Sequence, residues 1–375
     1  MNSILNEISK LRKGTPLVID YKNSNRYRVV AVEPDGSKTA YYFTAPIYNS
    51  RTRKAVDMKF QFNDETIYSS GSNTNITISE NIRMENAEGS CIVSLSSRVK
   101  RISEYELSCG HATIYPTTNG VAINSPCPEG KTYTFVVEIS KPFLEVRAND
   151  KYFALMSERF RPFVAVSCIG TSDANGNIIA PAKISYQKIT DQKYTVSVIP
   201  CSSLGKTVLI EANLYEDKLF QDTTVESKNA KTNNAFGSIG FIGTTKEFGE
   251  QWLYTRPDFS KMNELNDKKI LRAILHLPRL SSSTIELTAS KVSARFCSFG
   301  STWENKIAET SPICDSQITD HYIDLNMMPI MADKHGRLSR GEGFILKAKK
   351  KNSGFSVVAT GDNYLYPQIL EMNYR

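Results

Sequence analysis

The sequence contains no C-x-x-C pair, although it holds seven cysteines: Cys91, Cys109, Cys127, Cys168, Cys201, Cys297 and Cys314. Zinc sites use tight pairs and disulfide frameworks use even sets, so neither organises this chain. Reduced, mostly buried thiols made in a reducing cytoplasm are expected instead. No window approaches the ~18 apolar residues of a spanning helix, so membrane insertion is not expected. Met1 to Gly14 also lacks the apolar run of a signal peptide, which points to synthesis in the cytosol.

The usual catalytic spacings are missing too. Gly237, Gly240 and Gly243 follow G-x-x-G-x-x-G, not the dinucleotide pattern, and read as a strand with tight bends. The four histidines, His111, His276, His321 and His335, are scattered. Cys109 and His111 would share one face of a strand, yet no third partner lies near them in sequence. Asp320-His321 has no nucleophile-elbow serine to serve. Asp173-Ala-Asn-Gly-Asn177 lacks the full calcium loop and reads as a hairpin turn. No pair of carboxylates can be singled out for glycosidase chemistry. No catalytic, cofactor-binding or metal-binding residue is therefore assigned, no cofactor is expected, and the chain does not read as an enzyme.

Hydrophobic residues at 40% and charged residues at 23% are those of a folded protein, which excludes wholesale disorder. At 375 residues two or three units are expected. Ile4, Leu5, Ile8 and Leu11 stand at helical spacing, predicting one short helix over Ser3–Leu11 that Gly14 and Pro16 stop. Beyond it, short strands alternate with polar turns. Tyr27–Val32 and Thr39–Thr44 flank Glu33-Pro34-Asp35-Gly36, a strong hairpin signal. The spacing predicts an all-β protein of tandem antiparallel sandwiches, jelly-roll-like, after a short N-terminal helix. The expected divisions are 1–115, 116–218 and 219–375.

The net charge of +7 is concentrated at one end: residues 1–60 hold 11 Lys/Arg against 5 Asp/Glu. Arg26, Arg28, Arg51, Arg53 and Lys54 lie among Tyr42, Tyr48 and other tyrosines. This suggests a docking face for an acidic partner, with specific nucleic acid disfavoured because no recognised binding module surrounds it. Trp252, Tyr254 and Trp303 are candidates for stacking on sugar rings.

From residue 218 the chain resembles a known family. Gln221-Asp222-Thr223-Thr224-Val225, Asn233 to Gly237 and Ile242-Gly243 are similar to the opening of a DNRLRE domain. Arg272 to Pro278, Ala289 to Phe296 and Thr302-Trp303-Glu304 resemble its later strands and turn. Gly343-Phe-Ile-Leu-Lys347, Gly354-Phe355 and Pro367 to Tyr374 resemble its close. The hexapeptide that names the family is absent. The resemblance implies a non-catalytic sandwich from bacterial surface proteins or phage minor structural proteins of Gram-positive hosts. With no secretion signal in the sequence, it points to a virion structural protein, a capsid or tail decoration. Its N-terminal region would dock on phage structural proteins in a multi-copy symmetric assembly. Its sandwich would face outward, towards host cell-wall carbohydrate. The alternative expectation is a secreted or cell-surface carbohydrate-binding adhesin module.

Overall fold

The computed structural model describes residues 4–47, 58–63, 66–70, 73–95, 97–126, 132–142, 145–157, 161–351 and 354–375. Strand accounts for 53% of the chain and helix for 6%, with a large curled antiparallel sheet, as an all-β sandwich requires. The helix forms over Ile4–Leu11, with Ile4 and Ile8 buried.

The chain divides into two units, Met1–Glu7 with Ile47–Asp217 and Ile8–Pro46 with Lys218–Arg375. No division falls at 115. The Gly120–Pro126 strand pairs with Ala112–Pro116 on one side and with Thr207–Leu214 on the other. A boundary there would cut a continuous sheet. Nor do residues 8–46 belong to a separate N-terminal docking domain. Arg28–Val32 and Lys38–Phe43 form the expected hairpin, and its second strand pairs with the C-terminal strand Ile369–Tyr374. This long-range pairing leaves no local trace in the sequence.

In the 47–217 unit, a nine-stranded and an eight-stranded sheet contribute to one apolar cluster. Alternation explains the packing. In Lys193–Pro200 the side chains of Tyr194, Val196 and Val198 are buried while their neighbours face outward. In Asn81–Asn86 it is Ile82 and Met84 that turn inward, the period-two signature of a half-buried strand. The Asp173 turn closes on itself: its carboxylate accepts from the backbone N–H groups of Asn175 (2.8 Å) and Asn177 (3.0 Å).

The other unit is built on a twelve-stranded sheet. Glu309–Ile318 pairs with Leu287–Val292 through its first part and with Tyr322–Asn326 through its last, carrying the sheet from one half to the other. The core between the halves holds Tyr42, Leu253, Leu275, Leu325, Leu346 and Met372. Gly243, in the expected glycine-punctuated strand, has φ +125°, and a Cβ there would lie 2.2 Å from the Gly354 carbonyl oxygen. Gly243→Ala is therefore expected to cost about 3 kcal/mol through backbone strain and overpacking. Gly176, at φ +83° with open space around it, should cost only about 1 kcal/mol on the same change. Urea denaturation of the two variants checks the contrast.

Candidate functional site

In Ile270–Pro278 the residues Ala273, Leu275 and Leu277 enter the core, so Arg272, Ile274 and His276 project from the opposite face. On the adjacent strand Asp324 stands directly across from His276. On the other side Glu371 stands across from Ile274, one diagonal step from His276. Tyr41 follows, across from Glu371. Four neighbouring strands thus align Asp324, His276, Glu371 and Tyr41 in a row. A cavity of about 490 Å³ lies over this row, bounded also by Lys10 to Lys13, Thr15 and the Thr319–Tyr322 turn.

The row is fixed by hydrogen bonds. His276 Nδ1 lies 2.7 Å from Asp324 Oδ1, and Nε2 lies 3.3 Å from Glu371 Oε2. Tyr322 meets the imidazole edge-on at 5.8 Å. Arg272 pairs with the other oxygen of Glu371. Arg12 grips Glu33 with both terminal nitrogens, at 2.7 and 3.0 Å, and reaches the Tyr41 hydroxyl at 3.3 Å. Burial alone would lower the His276 pKa, but hydrogen bonds and charges from Asp324 and Glu371 outweigh it and raise it above 6.5. Burial, reinforced by Glu371, pushes the Tyr41 phenol up to about 12.

This geometry defines what the site can do. A protonated His276 donates both N–H groups to carboxylates, leaving no lone pair to take a proton from a ligand. The carboxylates sit on opposite sides of the ring, so they do not converge on one ion; among the described residues no group of three or more candidate ligands is arranged for a metal. Lys10, Arg12, Lys13 and Arg272 face Glu33, Asp320, Asp324 and Glu371 around the cavity, and a protonated His276 adds one positive charge to a lining that stays near balance. So even a field does little to attract a polyanion. It does set donors beside acceptors, the pattern that matches neighbouring hydroxyl groups, each of which donates and accepts.

Of the residues expected at a docking face, Arg26, Arg28 and Tyr42 are described, and none of the three is exposed. Arg28 and Tyr42 are buried, and both bind Glu264, Arg28 as an ion pair and Tyr42 as hydroxyl donor. Burial, then Glu264, drives the Tyr42 pKa well above 10. Arg26 is half-buried and lies over the Tyr27 ring at 5.7 Å. Arg12, Lys38 and Lys59 are likewise paired, with Glu33, Asp20 and Glu104. Arg12, Arg28, Lys38 and Lys59 are thus held by carboxylates, two of which, Glu264 and Glu104, come from distant segments. Tyr48, Arg51, Arg53 and Lys54 lie outside the described residues.

Trp252, Tyr254 and Trp303 do come together, but as packing. The two indoles lie 4.6 Å apart, Lys347 sits 4.1 Å over Trp252, and Lys306 sits 4.6 Å over Trp303. Tyr254 is fully buried and its hydroxyl donates to the Ile307 carbonyl at 2.8 Å. A lysine ammonium over each ring competes with a sugar for that face. Cys109 and His111 do not share a strand face: a turn at Gly110-His111 separates Glu106–Cys109 from Ala112–Pro116. Cys109 is buried and its thiol donates to the Ser97 carbonyl, while His111 is exposed.

Sequence reasoning missed the Asp324–His276–Glu371 row. A signal was present, since each residue is polar on the outward phase of an apolar strand: Leu-His-Leu, Ile-Asp-Leu and Leu-Glu-Met. Separations of 48 and 95 residues hid which outward positions meet. No family model, curated protein or solved structure matches this chain.

Proposed function

We propose that the chain is a non-enzymatic structural protein of a tailed-phage virion, and that the unit containing its C-terminus contacts a hydroxyl-rich glycan of the host surface. One observation carries the ligand reading: the charge-balanced cavity whose His276, Glu371, Arg12 and Tyr41 are already held by neighbours before a ligand arrives. Preorganised donors and acceptors bind polyols without a further ordering cost. Repeated copies on a particle turn weak single-site contacts into firm attachment. The virion reading rests on the resemblance of residues 218–375 and on an all-β fold suited to a display module.

Two measurements test it. Proteomics of purified particles should find the chain as a stoichiometric component; its absence from assembled virions ends the virion reading. A cell-wall glycan array probed with the full chain should give binding that Arg272→Ala weakens about 10- to 100-fold, the value of one charged hydrogen bond. Arg272 is 55% exposed at its side chain, so that variant should unfold close to the parent. An array on which the parent chain binds nothing ends the glycan reading.

A further inference from the structure

Lys218, Asp222 and Asp362 form a cluster away from the cavity. All three are buried, and the adjacent Leu219 and Phe220 are wholly inaccessible. Lys218 Nζ lies 2.6 Å from Asp362 Oδ2 and 3.3 Å from Asp222 Oδ1. The backbone on both sides is pinned. Lys261 Nζ donates to the Lys218 carbonyl at 2.7 Å, and the Gly361 N–H donates to Asp222 Oδ2. A Cβ at Gly361 would lie 2.8 Å from the Phe220 carbonyl oxygen as well as from that carboxylate, so the backbone approaches closely there.

One buried amine between two buried carboxyl groups has few acceptable charge states. With all three ionised the cluster carries a net negative charge, whose burial is costly. Burial accordingly raises the Asp362 carboxyl to about 7, against the pull of Lys218. Burial raises Asp222 as well. Passing the lysine proton to Asp222 then leaves an amine and two acids, the one arrangement with no buried charge. The amine nitrogen lies 2.6 Å from an oxygen of the Asp362 carboxyl, one bond from the carbon it would attack, and well-oriented neighbours of this kind reach effective molarities of about 10⁵–10⁸ M.

We propose that Lys218 and Asp362 condense to an intramolecular amide, with Asp222 relaying the proton. The Lys218 nitrogen attacks Cγ of Asp362 and a new N–C bond forms. Asp222, already holding the first lysine proton, gives it to the departing hydroxyl and takes the second proton from nitrogen, ending as the acid. The C–O bond breaks, one water leaves, and no oxidant, reductant or co-reactant is consumed. The bond joins the lead-in to the Phe220–Glu226 strand to the turn after Phe355–Ala359, closing a loop across 144 positions of the chain. Such a covalent tie would suit a protein loaded mechanically on a particle, yet it stands whether or not the virion reading does.

The intact mass of the full-length chain, purified and held at neutral pH, tests the proposal. The expected mass is lower than the sequence mass by one water, and tandem spectra of a digest should show a branched peptide joining Lys218 to Asp362. Lys218→Arg and Asp362→Ala should each restore the uncondensed mass, and Asp222→Asn should slow the condensation by about 10²-fold or more. A parent chain at its full sequence mass after incubation overturns the proposal. So does a water loss that maps to a succinimide at Asp35-Gly36 with no branched peptide. Both decisive readings use the parent chain, so a variant that fails to fold does not remove the test.

Discussion

Replacing Lys218 with methionine is expected to lower the unfolding free energy by about 3–5 kcal/mol, because removing one partner of a buried ion pair strands the other. Asp222 and Asp362 would then face each other with only the Gly361 N–H and their own shared proton to hold them. If the amide has formed, the same substitution also opens a loop spanning 144 positions, and loop-closure entropy adds about 5 kcal/mol. Guanidinium denaturation of parent and variant at neutral pH reads the difference. A loss below about 1 kcal/mol would place the cluster among weak surface pairs and contradict its burial. A triple variant with Lys218→Met, Asp222→Leu and Asp362→Leu should recover much of the loss, since apolar replacements of a whole buried cluster are often neutral.

Stability should also peak on the acid side of neutrality, at about pH 4–6, and fall towards pH 8. His276 is held by Asp324 and Glu371, with Arg272 beyond Glu371 and Tyr322 against the ring edge. Its folded pKa lies above 6.5. Its contribution is therefore complete below about pH 6.5 and is lost as pH rises through the folded value. Asp362 acts with the same sign. Its carboxyl, raised to about 7 from 3.8, favours the folded state fully below its unfolded value and progressively less up to neutrality. At the acid end the sign reverses. Lys38 and Asn23 hold Asp20 down at about 2, and Glu33 is lowered by Arg12 despite its burial. Their contributions are present above the ordinary carboxylate range and lost as pH falls through their folded values. Thermal melts from pH 3 to 9 check the profile. His276→Leu should remove the histidine share of the alkaline decline, and a profile that rises monotonically to pH 8 would refute the assignment. In a chain already cross-linked through Asp362, only the His276 part of the slope should remain, which ties the melts to the mass measurement.

The strands themselves were legible in the sequence for a local reason. Lys193–Pro200 and Asn75–Ile78 alternate apolar and polar residues with the period of a half-buried strand, and Glu33-Pro34-Asp35-Gly36 marks its hairpin wherever the rest of the chain goes. The Asp173 turn likewise contains the side chain that satisfies its own backbone. Burial of Arg28 and Tyr42 was not legible, because Glu264 comes from 222 positions beyond Tyr42. A basic, tyrosine-rich stretch reads as a docking face until that carboxylate is placed. Trp252 and Trp303 show the same limit: their aromatic character suggested sugar stacking, but neither their mutual contact nor the lysines over them could be read from residues 51 positions apart.

The sequence by itself determined that this is an all-β chain of antiparallel strands and tight turns, since period-two burial and turn chemistry act between near neighbours. The tertiary structure alone decided that residues 8–46 complete the sheet of the C-terminal unit. It also decided that Asp324, His276 and Glu371 share one row, and that Lys218 meets Asp222 and Asp362. Each of these depends on which strands pair, and a register shift of one residue would turn Asp324, His276 or Glu371 to the opposite face.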